Sequence, residues 1–181
     1  MKKLQNSNQI ILAYDLGKTW AAVEILVGSP AYIKTVHTGK FENFGAFLDN
    51  ELPKVIERAH GPENVHIVFE QPPRGEPIKG TRKADWKVIP NLQREAEHCV
   101  ALILDACRRY NIKIKYPKGF MPNTVKKAVT GNGKASKIQV REMVDFLLEG
   151  ISLSPDPGYH KHDACAVGYC LMNRLHLGGE L

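Results

Sequence analysis

No apolar run in this 181-residue chain approaches the roughly 18 residues that a membrane-spanning helix needs. The apolar stretch after the N-terminal lysines ends at Asp15, too short for a secretory leader with its cleavage site, so the expectation is an intracellular protein with no membrane partner. Cysteine is scarce. Cys99, Cys107, Cys165 and Cys170 form no CxxC pair and sit among apolar residues, which argues against a structural zinc site or a disulfide framework and for small core residues in a reducing compartment. GxSxG, HExxH and P-loop motifs are missing, which removes the common serine-hydrolase, zinc-protease and nucleotidase sets. With 43% hydrophobic and 24% charged residues, the disordered and fibrous classes are excluded too. The length suits a single domain over residues 1–181, with 1–8 as a flexible tail.

Acidic residues are absent from one long stretch. Between Ala106 and Arg141 there is no Asp or Glu, while ten bases occur there, including Lys126, Lys127, Lys134 and Lys137. The chain carries +6 overall, so the remainder is net acidic. A block of one sign suits a polyanion, because neutralising phosphates releases condensed counterions. A purely solubilising surface would mix its signs.

Hydrophobic periodicity predicts strands at 9–14, 20–27 and 31–37, joined tightly as a meander, and a helix over 43–60 that Pro53 should kink or restart. A buried strand at 64–69 ends at Glu70. Residues 71–90, with four prolines, read as a mobile loop, and a long amphipathic helix follows at 91–110. The alternation of IKIKY at 112–116 predicts a half-buried fifth strand. Helices follow at 122–130, opened by Pro122, at 136–149, closed by Gly150, and at 160–177. The pattern predicts an α/β fold with a mixed five-stranded sheet flanked by helices.

Four polar residues fall where this layout converges. Asp15 ends the first strand and Glu70 the fourth, while His160 and Asp163 stand three apart at the start of the last helix, on one side of it. Carboxylates at strand ends suit a hard cation such as Mg²⁺, which takes oxygen ligands, and a pair of such ions can clamp an in-line phosphoryl displacement. Each residue alone has a structural explanation: a strand-ending turn for Asp15-Leu16-Gly17, a strand-end charge for Glu70, a first-turn helix acid for Asp163, and a surface histidine beside His162 for His160. Their joint placement favours a site.

The segments ILAYDLG (11–17), IVFEQ (67–71), PNTVKKAVTGNGKASKIQVREMV (122–144) and HKHDACAVGYC (160–170) resemble the four signature regions of RuvC-type Holliday junction resolvases, in the same order. That resemblance implies a ribonuclease-H-like fold, a homodimer, and Mg²⁺-dependent paired nicking of four-way DNA junctions, with two ions per site and Mn²⁺ able to substitute. It implies that Asp15, Glu70 and Asp163 are catalytic metal-binding carboxylates and that Lys126 and Lys137 contact DNA, with Lys127 and Lys134 as weaker candidates. His160 falls where many members carry a second aspartate and some a histidine. Imidazole suits Mn²⁺ better than Mg²⁺ and could instead move a proton near neutral pH. The helix at 91–110 is the implied dimer interface. Where the family commonly places an aromatic two residues after Glu-Gln, this chain has Pro72 and Pro73, and Leu16 stands where many members have proline. Two other classes compete: a branched-DNA-binding protein that does not cut, and an actin-like phosphotransferase, whose second phosphate loop is not visible in the chain.

Overall fold

Along β1 (Ile10–Asp15), Ile10, Leu12 and Tyr14 enter one apolar layer while Ile11 and Ala13 enter another. A strand buried on both faces explains why this run reads as continuously apolar. The computed structural model describes residues 9–27, 32–71, 89–147, 153 and 158–177. β2 (Thr19–Leu26) pairs antiparallel with β1, and β3 (Tyr32–Lys40) pairs antiparallel with β2, with an irregularity between Glu24 and Ile25. After α1 (Phe44–Arg58), β4 (Val65–Phe69) returns to the far side of β1 and pairs parallel with it. The strand order is β3-β2-β1-β4.

The first layer packs α1 and α2 (Ile89–Arg109) against one face of the sheet. Helical spacing brings Phe44, Leu48, Leu52 and Val55 of α1 inward, and Ala96, Cys99, Ile103 and Ala106 of α2. α1 continues through Pro53 without restarting. The ring is exposed, and the carbonyl it leaves unpaired belongs to the exposed Asp49, which water can satisfy. A charge enters this layer from the sheet: Glu24 on β2 is only 3% exposed. Arg58 chelates it through Nε (3.1 Å) and Nη2 (2.7 Å), and the Thr35 hydroxyl donates a third bond at 3.1 Å. A buried carboxylate persists only with such partners.

The second layer holds α3 (Pro122–Thr130), α4 (Lys137–Leu147) and α5 (His160–Leu177). α5 lies on the sheet, with α3 and α4 packed on its outer side, so Ala164, Cys165, Ala166, Val167, Cys170 and Leu171 are all buried. The four cysteines are buried and free, as their apolar surroundings predict.

The sheet has four strands among the described residues, where the sequence predicts five. IKIKY forms no ladder: Ile112 is drawn back to the end of α2 by its N–H bond to the Cys107 carbonyl (2.8 Å), and its side chain enters the first layer. Among the described residues, this segment meets the sheet at Phe120, in a parallel bridge to Glu70. Gly119, at φ +72°, turns the backbone into that bridge, and a Cβ there would lie 2.6 Å from the Phe69 carbonyl oxygen, closer than any side chain tolerates. The predicted tail at 1–8, most of the predicted loop (72–88), the last residues of the helix predicted to 149 (148–150) and residues 154–157 lie outside the described residues. Among the described residues no helix is long and apolar enough to cross a membrane.

Candidate active site

Asp15 and Glu70 stand at the carboxyl ends of the two parallel central strands. The β1–β4 register pairs Tyr14 with Phe69, and the Glu70 N–H bonds the Tyr14 carbonyl at 3.2 Å, so the two acids are neighbours one step beyond the ladder. Side-chain alternation sends Asp15 to the same face as Ile11 and Ala13, and Glu70 to the same face as Val68, which is the face covered by α5. Open α/β sheets place ligands at such strand ends.

α5 begins on that face. Its first turn brings the His160 imidazole Nδ1 to 2.7 Å from Asp15 Oδ2. The ring lies over Gly158, where a methyl group would collide with it, so the absence of a side chain at 158 is what leaves room for the histidine. Asp163, one turn on, accepts a bond from Lys137 Nζ of α4 at 2.9 Å, and the same ammonium reaches the Gly158 carbonyl at 3.4 Å. Asp15, Glu70, His160 and Asp163 thus come from β1, the end of β4 and the start of α5, with Lys137 from α4 closing the group.

The electrostatics are those of acids crowded in a partly dry place. Burial pushes the Glu70 carboxyl up to about 8, helped by the negative fields of Asp15 and Asp163 and opposed by Lys137 and Lys126. Burial also raises Asp15, against the stabilising bond from His160, with Asp163 raising it further. Burial draws Lys137 downward, but its bond to Asp163 and the fields of Asp163, Asp15 and Glu70 outweigh this and hold it above its ordinary value. The site therefore holds more negative charge than its surroundings solvate, with one ammonium and one imidazole offsetting part of it.

Of the candidate DNA-binding lysines, Lys137 and the half-buried Lys126 act on this acid group, and Lys127 and Lys134 are exposed. His162 lies in the first turn of α5, within the helix predicted at 160–177, and is 6% exposed, with Nε2 at 3.0 Å from Asp145 of α4. Periodicity carried a weak signal for this, since position 162 falls on the opposite side of the helix from 160, toward whatever packs outside α5. The Lys137–Asp163 pair, 26 residues apart, had no sequence signal as a pair.

Hard oxygen donors crowded so that they resist ionisation suit a divalent cation. As the side chains stand, no three or more His, Cys, Asp or Glu among the described residues are gathered closely enough to hold one.

The family described as crossover junction endodeoxyribonuclease RuvC matches residues 95–171. The chain is 45% identical over 67 residues to the RuvC endodeoxyribonuclease of Rickettsia akari, covering 37% of this chain and 40% of that protein. It is 44% identical over 57 residues to that of Paracoccus denitrificans, covering 31% and 32%. The aligned stretch thus spans less than half of these curated relatives. In three dimensions the chain is similar to Thermus thermophilus RuvC, with a TM-score of 0.66 at 16% identity over 94% of this chain and 97% of that one. It is also similar to T. thermophilus RuvC in complex with Holliday junction substrate, with a TM-score of 0.64 at 18% identity over 94% and 96%. Of the four signature segments, those at 122–144 and 160–170 fall within the stretch that matches the family, and the chain as a whole has the fold of the RuvC structures.

Proposed function

We propose that this chain is a structure-selective endodeoxyribonuclease that resolves four-way DNA junctions, acting as a single nuclease domain in a homodimer that makes paired, symmetric nicks. The observation that carries the reading is the convergence of Asp15 and Glu70, at the ends of adjacent parallel strands, on His160 and Asp163 in the first turn of α5. Asp15, Glu70 and Asp163 would hold two Mg²⁺ ions, with His160 at the margin of that set. Bound there, the ions supply activation of a water nucleophile and stabilisation of the leaving oxygen.

The chain's own residues do the rest. Asp15 holds the His160 ring in one orientation through the 2.7 Å contact. Glu70, whose carboxyl holds its proton more tightly than a free glutamate, would have to release that proton to serve as a cation ligand. Lys137 neutralises Asp163 before loading and is free to meet a phosphate afterwards, beside Lys126. Lys127 and Lys134 add to the cationic surface from the α3–α4 region, which contains no acid before Glu142. Two sites related by a two-fold axis are the simplest way to cut two like strands, with α2 as the proposed interface.

A labelled immobile four-way junction, matched duplex and ATP, each incubated with purified protein and Mg²⁺, test the reading. Paired, religatable nicks in the junction alone are expected. Junction binding with no cutting under Mg²⁺ or Mn²⁺ would instead support the non-cutting binder, and sedimentation as a monomer together with uncoupled single nicks would remove the symmetric mechanism.

A further inference from the structure

Beside the acid group, α4 and the start of α5 share a second polar cluster, which the reaction as proposed does not use. His162 Nε2 meets Asp145 Oδ1 at 3.0 Å, with His162 buried and Asp145 on the flank of α4. Arg141, one turn earlier on α4, contacts Asp145 at 3.5 Å. Its guanidinium also lies 5.2 Å from the centre of the Tyr159 ring and reaches the Tyr159 hydroxyl at 3.5 Å. The Tyr159 ring meets the His162 ring edge-on at 6.0 Å. Tyr159 itself sits at φ +56°, a left-handed conformation that a bulky side chain adopts only when its surroundings impose it. Its carbonyl accepts the N–H of Asp163 at 2.9 Å, closing the first turn of α5.

Helical geometry says what such a clamp controls. At about 100° per residue, His160 and Asp163 lie about 60° apart, whereas His162 lies about 160° from His160 and about 100° from Asp163. Fixing His162 against α4 therefore fixes the rotation of the first turn about its axis, and with it the direction in which His160 and Asp163 leave the helix. Lys137, which bonds Asp163, belongs to the same α4, so one helix holds both sides of the turn.

We infer that Asp145 and His162, aided by Arg141 and the left-handed Tyr159, are positioning residues that lock the rotational setting of the α5 first turn, so that His160 and Asp163 face Asp15 and Glu70. The inference rests on the proposed nuclease reading only for its effect on rate.

The test uses the full chain and three variants, His162→Ala, His162→Gln and Asp145→Ala. Glutamine can return an N–H near the place of Nε2, and Asp145 is exposed enough for its loss to leave folding intact. In cation-free protein at one fixed pH, the His160 imidazole resonance should shift in both alanine variants and return toward the parent position in His162→Gln. With the junction and Mg²⁺, single-turnover cutting should slow about 10- to 100-fold in each alanine variant while the Kd for the junction stays within about twofold. The double alanine variant should be no slower than the slower single one, and His162→Gln should recover to within about threefold of the parent. Unmoved His160 resonances with unchanged rates would overturn the inference, as would equal losses in His162→Gln and His162→Ala. If the parent itself cuts no DNA, the nuclease reading fails, and the His160 resonance alone decides whether the clamp positions the turn.

Discussion

Replacing Glu70 by glutamine should stabilise the cation-free protein at alkaline pH, a consequence of the site's electrostatics that needs no catalysis to observe. In the folded chain the Glu70 carboxyl is pushed up to about 8, against 4.5 for a free glutamate, by burial and by the neighbouring Asp15 and Asp163. Between those values the native state holds a proton that the unfolded chain has released. Stability from this group is therefore fully present below about pH 4.5 and is lost as pH rises toward 8, at up to about 1.4 kcal/mol per pH unit. Across the whole interval that amounts to about 5 kcal/mol, and solvent reaching the partly exposed group reduces it to about 2–3 kcal/mol. A glutamine amide in its place does not titrate. Urea unfolding of parent and Glu70→Gln in EDTA, at steps from pH 5 to 9, should show the variant gaining about 2–3 kcal/mol relative to the parent, with most of the gain between about pH 6 and 8. Added Mg²⁺ should stabilise the parent more than the variant, since a cation bound by the ionised carboxylate offsets its cost. A stability difference that stays flat over that whole range would refute the reasoning and make Glu70 an ordinary exposed acid.

Asp15→Asn should keep junction affinity and lose cutting by at least about 10²-fold, measured on a labelled junction, and its loss should not multiply with that of Asp163→Asn if the two act as one unit. Lys126→Ala and Lys137→Ala should each reduce the slope of log Kd against log salt by about one, with smaller effects at Lys127 and Lys134, and unchanged slopes would make these lysines solvated surface. Removing the Lys137 ammonium should also push Glu70 further upward, readable as a pH-dependent loss of stability that continues to more alkaline pH before levelling off. Arg58→Ala should destabilise the fold by about 3–5 kcal/mol, because it strands the Glu24 carboxylate in the first layer, and Arg58→Ala with Glu24→Gln should recover much of that in thermal unfolding.

Much of the candidate site is legible in the sequence, because its acids sit at element boundaries that local pattern marks. Apolar runs ending in Asp15 and Glu70 identify two strand ends, and strand alternation puts each side chain on a definite face. Spacing of three places His160 and Asp163 on one side of a helix. Those are properties of single elements, and they were enough to say which residues could form the site and which way each leaves its own element. IKIKY shows where such local reading stops: its alternation is that of a strand, but a strand also needs an edge in register, and the packing of Ile112 at the end of α2 carries the chain past β4 until Phe120. The parallel pairing of β1 with β4, which makes Asp15 and Glu70 neighbours, comes from the return of the chain across the whole meander and α1. The burial that lifts Glu70 depends on layers supplied by residues far along the chain, and so do the contacts of Lys137 with Asp163 and of His162 with Asp145. The rotation of α5 against α4 and the sheet was left to the assembled molecule, because that angle is set by packing between helices whose periodicities say nothing of one another.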